Sequence, residues 1–179
     1  TKASKTYGID VDSSNFVNIY YNTILINIAS SNTSSRNLFV GKANTNVVVR
    51  NNNLDNQCGG YAYYVEGDGS QVLLSDNNNY TTKANKFTYW GNKDCATITA
   101  LHTANTFEAN SVSVENKFRA DTCLEFLYPT DIVYKAEPLD AYTTDIYGNV
   151  RHDVPKPTIG AYEYQFTPID AGVVRIISP

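Results

Sequence analysis

The sequence predicts an all-β fold, a right-handed parallel β-helix of about three to four turns with a short capping helix and an irregular C-terminal tail. The first observation behind this prediction is a pattern that occurs at residues 17–24, 47–54 and 73–80. In each copy a β-rich run leads into an asparagine that stands two positions before an apolar or aromatic residue. A pattern that returns every roughly 20–50 residues is typical of stacked supersecondary units rather than of a closed globule.

The second observation is the spacing of the asparagine in that pattern. Asn22, Asn52 and Asn78 are 30 and 26 residues apart. An asparagine side chain both donates and accepts hydrogen bonds, so it can link to copies of itself above and below. We therefore expect these three structural residues to stack and hydrogen-bond along one corner of the helix.

The remaining strands of residues 1–82 complete the predicted coils. A first strand in each turn is predicted at residues 7–11, 37–40 and 61–65, and a third at residues 23–28, 53–54 and 80–82. Alternation along each strand sends every second side chain inward. In parallel stacking these inward residues form rows along the axis, as in the alignment of Ile24 with Leu54.

After residue 82 the repeat ends. Residues 83–128 are predicted to hold an aromatic-rich connector (83–91), a short helix and a last strand (109–114). Asp94 is the predicted N-cap of the helix, which runs to about Ala104 with Ile98 and Leu101 on one face. We expect this helix to lie across the end of the solenoid.

Residues 129–166 are predicted to form a looped tail that packs on the solenoid. Asp145, Arg151 and Glu163 are its main polar residues, and a glycine turn lies between the first two. We expect a bidentate ion pair to fix the tail, which would make these residues structural rather than catalytic. Residues 167–179 are predicted to be a linker and the first strand of a following module. Strand-like runs at both ends, 8–11 and 171–177, indicate a piece of a longer polypeptide.

The order of several motifs resembles a known family. These motifs are Gly8-Ile9, the corners at 22–24 and 52–54, and the segments 75–80, 89–91, 109–114, 145–151 and 159–163. Together they resemble the C-terminal end of the choice-of-anchor Q type of parallel β-helix module. The resemblance implies a large secreted bacterial surface protein, typically exported by the type IX route. Residues 170–179 resemble the first strand of the β-sandwich modules that commonly follow. The resemblance implies no reaction.

Composition limits the function further. The net charge is −4 and the isoelectric point is about 5.1, without a cluster of Lys and Arg, so we expect no nucleic-acid partner. No run of about 18 apolar residues occurs, which predicts no membrane span. Cys58, Cys95 and Cys123 lack a metal-binding spacing. They fit one disulfide with a free thiol or three buried thiols, and the sequence leaves that choice open.

No catalytic set is predicted, because the common nucleophile, metalloprotease and phosphate-loop motifs are absent and His102 and His152 have no catalytic partner at a diagnostic spacing. Asp10 and Asp12 alternate onto one strand face and could hold Ca²⁺ through oxygen ligands. A structural or solvent-facing role fits them better, because later turns carry aromatic residues at comparable positions. No cofactor is therefore expected, and Ca²⁺ is the only metal considered.

Aromatic residues are concentrated on the last coil. Since sugar rings offer apolar faces and hydroxyl edges, these residues are candidates for glycan contact: Tyr61, Tyr63, Tyr64, Tyr80, Tyr89 and Trp90. The competing interpretation is that alternate members pack into the core.

We therefore expect a non-catalytic structural or adhesive segment of a secreted or cell-surface bacterial protein, with glycan contact as an additional candidate role. Its partners would be the rest of its own polypeptide, surface polysaccharide or other surface proteins. One alternative is the terminal part of a polysaccharide lyase or hydrolase whose catalytic coils lie upstream. A carbohydrate-binding module is another.

Overall fold

The computed structural model describes residues 5–28, 32–127, 131–133, 135–153 and 155–165. The linker and following strand predicted at 167–179 lie outside the described residues. Within the described part no helix is long and apolar enough to cross a membrane.

The chain winds through three turns of a solenoid, each with three short strands. The first turn has β1 (Thr6–Val11), β2 (Asn18–Tyr20) and β3 (Thr23–Ile26). The second has β4 (Ser35–Val40), β5 (Val47–Arg50) and β6 (Asn53–Asn56). The third has β7 (Tyr61–Val65), β8 (Val72–Asp76) and β9 (Asn79–Thr82).

Equivalent strands of successive turns pair in parallel and form three sheets. The orders are β1-β4-β7, β2-β5-β8 and β3-β6-β9, the first being extended by later strands. In the third sheet Ile24 lies opposite Leu54, which lies opposite Tyr80. This is the register that the asparagine pattern predicts, and the parallel β-helix fold is confirmed.

The core is a set of interior rows between the sheets. Its best-buried members have no exposed surface and come from all three sheets: Leu38, Val40, Val47, Val49, Leu54, Tyr63, Val65 and Tyr80. Burial of an aliphatic or aromatic side chain stabilises a fold by about 1.5–3 kcal/mol. The rows therefore supply most of the stability of the solenoid.

The segment after residue 82 is more regular than predicted. The aromatic connector contains β10 (Thr88–Trp90), which pairs in parallel with β7 and begins a fourth turn in the first sheet. β11 (Lys93–Cys95) then pairs with β10 in an antiparallel hairpin. The pairing of Tyr89 with Tyr64 explains the difference, because the aromatic positions continue an existing row.

The short helix is present, but the sequence misplaced its start. Helix α1 spans Ile98–Ala104, and its N-cap is Thr97, whose side chain accepts a hydrogen bond from the Ala100 backbone N–H. The prediction of Asp94 as N-cap was wrong, because Asp94 belongs to β11. Leu101 is buried against the core, so α1 covers the end of the solenoid as expected.

The last predicted strand, residues 109–114, is not a strand. This segment lies beside β9 and pairs with it through one parallel bridge, between Asn79 and Val112. A hairpin of β12 (Phe118–Ala120) and β13 (Cys123–Phe126) comes next, which the sequence did not indicate.

The looped tail packs on the outside of the solenoid around a second, smaller core. That core joins a residue of the first turn, Tyr21, to members of the hairpin and tail: Phe126, Ile132, Ala136 and Ile159. The three cysteines are all free thiols, with Cys58 and Cys95 buried and Cys123 partly exposed. The disulfide alternative is therefore wrong, and the alternative of three buried thiols holds for Cys58 and Cys95 only.

Candidate functional site

The corner asparagines Asn22, Asn52 and Asn78 form a hydrogen-bonded ladder, which we call the inner ladder. The Asn22 amide nitrogen donates to Oδ1 of Asn52 at 2.9 Å, and that of Asn52 donates to Oδ1 of Asn78 at 3.0 Å. The backbone N–H groups of Asn22 and Asn52 donate to the same oxygens, at 3.0 and 2.9 Å. An unpaired buried polar group costs about 1–3 kcal/mol, so a shift in register between turns would be expensive.

The asparagines that precede the ladder face the tail. Asn51 and Asn77 have positive φ angles of 61° and 55°, a conformation that asparagine tolerates better than most residues. The Asn51 amide donates to the Glu137 carbonyl at 2.8 Å and accepts from the Glu137 backbone N–H at 2.9 Å. The Asn77 amide donates to the Lys135 carbonyl at 2.9 Å. The tail is thus tied to two successive turns.

The asparagines that follow Asn52 and Asn78 in the chain form a second ladder, which we call the outer ladder. The Asn79 amide donates to Oδ1 of Asn53 at 2.9 Å, and the Asn53 amide donates to Oδ1 of Asn116 at 2.8 Å. Within each of the triplets 51–53 and 77–79, the three asparagines therefore have different partners. The sequence indicated the inner ladder only.

The inner ladder ends at a buried carboxyl group, that of Glu108. This residue has no exposed surface and a positive φ of 64°. Its Oε1 accepts from the Tyr80 hydroxyl at 2.9 Å and from the Ser75 hydroxyl. Its Oε2 accepts from the Ser111 hydroxyl and, at 3.5 Å, from the Asn78 amide.

Burial raises the pKa of Glu108, although the hydrogen bonds from Ser111, Ser75, Tyr80 and Asn78 act in the opposite direction. No Lys or Arg of the described residues forms an ion pair with it. Glu108 therefore closes the polar row by hydrogen bonds alone. Sequence reasoning missed it, because a single glutamate in an irregular segment gives no signal of burial.

The predicted lock in the tail brings Arg151 and Glu163 together. Nη1 of Arg151 lies 3.2 Å from Oε2 of Glu163, and both side chains are almost fully buried. The pair is not bidentate as predicted, because Nη1 also donates to the Thr158 carbonyl at 3.2 Å and Nη2 donates to the Gly160 carbonyl at 2.8 Å. The guanidinium carbon lies 4.0 Å from the centre of the Tyr21 ring, so the lock rests on the first turn.

Asp145, the third predicted member, forms no ion pair with Arg151. Its Oδ1 accepts from the backbone N–H groups of Tyr147 and Asn149, each at 2.8 Å. Its Oδ2 accepts from the Glu163 backbone N–H at 2.8 Å. Asp145 therefore closes a turn and ties it to the segment that carries the ion pair.

Burial shapes the electrostatics of this lock. It lowers the pKa of Arg151 and raises the pKa of Glu163, because both charges leave water, and the ion pair offsets part of that effect. For Asp145 burial acts to raise the pKa, but the hydrogen bonds from Glu163, Asn149 and Tyr147 outweigh it and lower the pKa. These features fit a structural role.

Three of the six candidate glycan-contact residues are in the core. Tyr63 and Tyr80 have no exposed surface, and Trp90 is 3% exposed. The rings of Tyr63 and Tyr80 stack with centroids 5.7 Å apart, and Trp90 meets Tyr63 edge-on at 5.6 Å. The prediction of glycan contact is wrong for these three residues, because they occupy inward positions.

The other three candidates are partly exposed and lie together on the first sheet. Tyr64 and Tyr89 stack with centroids 4.4 Å apart and an interplanar angle of 6°. Tyr61 meets them edge-on, with centroids 5.1 Å from Tyr64 and 6.2 Å from Tyr89. We call Tyr61, Tyr64 and Tyr89 the outer aromatic surface.

A row of rings and an arginine extend this surface toward the first turn. Phe39 lies 5.8 Å from Tyr64, and Tyr7 lies 5.4 Å from Phe39, between ring centroids. The guanidinium carbon of Arg36 lies 3.7 Å from the centre of the Tyr64 ring. Sequence reasoning missed Arg36, although its place in register with Tyr61 could have indicated it.

Tyr61 borders a cavity of about 540 Å³. Its hydroxyl donates to Oδ1 of Asp94 at 2.6 Å, and Lys86 forms an ion pair with Oδ2 of Asp94 at 2.8 Å. Lys86 and Lys83 both line the cavity. One edge of the outer aromatic surface is therefore concave and carries two lysines, of which Lys86 is paired with Asp94.

Asp10 and Asp12, the predicted Ca²⁺ candidates, are both exposed. Asp10 lies in register with Phe39, and Phe39 with Tyr64, so aromatic residues replace the carboxylate in the next two turns. The described part of the chain holds no group of three or more His, Cys, Asp or Glu placed to bind a metal.

Comparisons with known proteins give no relative of this chain: no protein-family model matches it, and no curated protein or solved structure is significantly similar.

Proposed function

We propose that this chain is the closing segment of a longer β-helix and acts as a non-catalytic structural or adhesive element. In this proposal its nearest partner is the rest of its own polypeptide, whose turns stack on the first turn described here. The proposal rests on one observation, the difference in burial between the first turn and the second.

The interior rows lose burial toward the first turn. Ile9 and Ile24 are only partly buried, whereas Leu38 and Leu54, their partners in the second turn, have no exposed surface. β1, β2 and β3 are also the outermost strands of their three sheets, all on the same side. An edge strand with free backbone groups and an apolar interior beside it is a template for a further turn.

The opposite end is closed by the chain itself. Leu101 of α1 has no exposed surface, and Ile98, Ala100 and Ala104 of the same helix pack against the core. A capping element of this kind is expected at the terminal end of a solenoid.

An added turn tests this proposal. A copy of residues 36–60 placed directly before Tyr7, in place of residues 1–6, continues the observed register, in which Tyr7, Arg36 and Tyr61 are aligned. We expect a higher free energy of unfolding, by about 3 kcal/mol, because the added turn covers the exposed part of Ile9, Val17 and Ile24.

The control is the same copy with serine at the four positions equivalent to Leu38, Val40, Val47 and Val49, which removes the apolar rows from the added turn. Equal unfolding free energies for the original chain, the extended chain and this control would contradict stacking at the open end.

The finer assignment, a choice-of-anchor Q module of a large bacterial protein exported by the type IX route to the outer surface, is supported by the order of the motifs from Gly8 to Glu163. The test is to find the chain in fractionated cells. Recovery with outer-surface or secreted material would support the assignment, and recovery inside the cell would overturn it.

A second candidate function, glycan contact, is favoured by the outer aromatic surface. Arg36 and Tyr89 cover the two faces of the Tyr64 ring, so the face of Tyr89 that is turned away from Tyr64 is the one that suits the apolar face of a sugar. We expect the chain to bind a polysaccharide in a panel measured by calorimetry, and Tyr89→Ala to weaken that binding about tenfold or more through loss of one stacking face. Tyr142→Ala removes an exposed tyrosine elsewhere and serves as control. Equal affinities for both variants would contradict a role for this surface.

A further inference from the structure

We propose that the outer aromatic surface, with Arg36 and the adjoining cavity, binds a polysaccharide that carries carboxylates, that is, one containing uronic acid residues. This inference rests on the glycan-contact function proposed above and names the class of glycan. It is carried by the placement of Arg36 and of two lysines around the three tyrosines.

Arg36 is held in place but not neutralised. Its guanidinium group contacts three rings, with its carbon 3.7 Å from the centre of Tyr64, 4.9 Å from that of Phe39 and 5.7 Å from that of Tyr7. Among the described residues it forms no ion pair, whereas Arg119 and Arg151 each pair with a glutamate. Ring contacts fix the plane of a guanidinium and leave its outer N–H groups available.

A planar guanidinium of this kind matches the two oxygens of a carboxylate. A uronic acid residue presents such a carboxylate at the edge of an apolar ring face. Arg36 on β4 and Tyr89 on β10 cover opposite faces of the Tyr64 ring on β7. A polysaccharide that runs along this row, with one sugar against Tyr89, would bring the carboxylate of another sugar to Arg36. A neutral sugar would use the rings and leave the arginine without a partner.

The other edge of the surface carries two lysines, one of which is paired with a carboxylate. Lys86 lies 5.4 Å from the centre of the Tyr61 ring, and its charge is matched by Asp94. Lys83 lines the same cavity of about 540 Å³ and has no ion pair within the described ranges. In a chain of net charge −4, cations on both sides of one aromatic surface favour an anionic ligand.

Nearby acidic groups limit the strength of this attraction. Asp10, on β1, lies next to the aromatic row, because it is in register with Phe39 on β4. The Glu66 carboxylate, one residue beyond β7, accepts a hydrogen bond from the Lys42 backbone N–H at 3.2 Å. The site thus combines ring stacking with a few charges. A nucleic acid would instead need cations along its backbone.

The test is calorimetry of the full chain with polygalacturonate and with the same polymer after reduction of its carboxyl groups. We expect polygalacturonate to bind at least about tenfold more tightly, which is the effect of about 1.4 kcal/mol. Arg36→Gln should remove this preference and Arg36→Lys should restore part of it. Arg50→Gln, on the neighbouring sheet, should leave the preference unchanged. Arg50 is a matched control because its Nε, like that of Arg36, is buried without a hydrogen-bond partner among the described residues. Thermal melting of each variant checks that it folds.

Other outcomes separate the two levels of the proposal. Equal binding of both polymers, weakened by Tyr89→Ala, would overturn the carboxylate preference and leave glycan contact intact. Binding of both polymers that Arg36→Gln does not change would likewise overturn the inference. Absence of binding to any glycan would overturn both, whereas stronger binding of a DNA oligonucleotide than of polygalacturonate would replace the glycan by a nucleic acid.

Discussion

Single asparagines decide how one turn of this protein sits on the next. In the triplets at 51–53 and 77–79 the first asparagine has a positive φ and contacts the tail, the second joins the inner ladder and the third joins the outer ladder. Three identical side chains thus have three different environments, because the corner turns the backbone sharply between them. The repeated pattern predicted the middle member. The other two depend on the tail, whose position no local pattern indicates.

Asn52→Ala should be strongly destabilising. After this change the Asn22 amide loses its acceptor, and the Asn78 side-chain oxygen and the Ile19 carbonyl each lose the Asn52 amide as donor, all at a buried corner. We expect a loss on the order of 3 kcal/mol in the free energy of unfolding, measured with denaturant. Asn18→Ala, at an exposed position of β2, should change it by less than about 0.5 kcal/mol. Similar losses for both variants would count against the ladder.

Glu108 makes stability depend on pH. Its pKa is raised above the ordinary value by burial, so the folded state favours the protonated carboxyl group. The resulting stability is present at low pH and is lost as pH rises toward the folded pKa. The groups facing it that could also titrate are Tyr63 and Tyr80, and burial raises the pKa of both well above 10.

We therefore expect wild-type stability to fall relative to that of Glu108→Gln as the pH rises above 4.5, the ordinary pKa of a glutamate. Chemical unfolding at several pH values measures this difference. Glu115→Gln, on an exposed side chain, is the control and should follow the wild type. Parallel curves for wild type and Glu108→Gln would show that Glu108 has the same pKa in both states.

At the scale of elements, strands were more predictable than their connections. β7 spans the predicted residues 61–65, because alternation and parallel register repeat there. β10 was missed, since its pattern of three residues is too short to read as a strand without its neighbour β7. The predicted N-cap of α1, Asp94, differs from the observed one, Thr97, for a similar reason: Asp94 pairs with β10 and is therefore part of β11.

The tail is held as a unit by one buried ion pair. Arg151→Met leaves Glu163 buried without its partner, which typically costs about 3–5 kcal/mol. We expect lower denaturant stability and faster hydrogen exchange at the Ile159 amide, which donates to the Ile132 carbonyl. Glycan binding should not change, because the outer aromatic surface lies on another part of the solenoid.

Lys156→Met is the matched control for that change. It breaks an ion pair of similar geometry, 2.8 Å to Glu137, on an exposed part of the tail. Exposed pairs contribute about 0–1 kcal/mol, so little loss is expected. An equal melting temperature for Arg151→Met and wild type would contradict the lock.

The two ends of the described solenoid differ: α1 covers one end, and β1, β2 and β3 are the outermost described strands at the other. The sequence predicted this polarity from the repeat, its interruption after residue 82 and the strand that begins near Gly8. It did not predict which rings form the outer aromatic surface, because parity alone does not decide this. Tyr61 and Tyr63 have the same parity in β7, yet only Tyr63 is in the core. Tyr63 and Tyr64 are neighbours in the sequence, yet the first is in the core and the second lies under Arg36.

Hydrogen exchange on the chain extended by one turn tests whether a further turn stacks on β1, β2 and β3. In the original chain the outer-edge backbone N–H groups of β1, β2 and β3 should exchange rapidly. In the extended chain they should be protected about a hundredfold, while those of β4 to β9 change little. This pattern would show that a further turn stacks in register on the open end. Unchanged exchange in β1 to β3, in an extended chain whose added residues are themselves protected, would contradict the account.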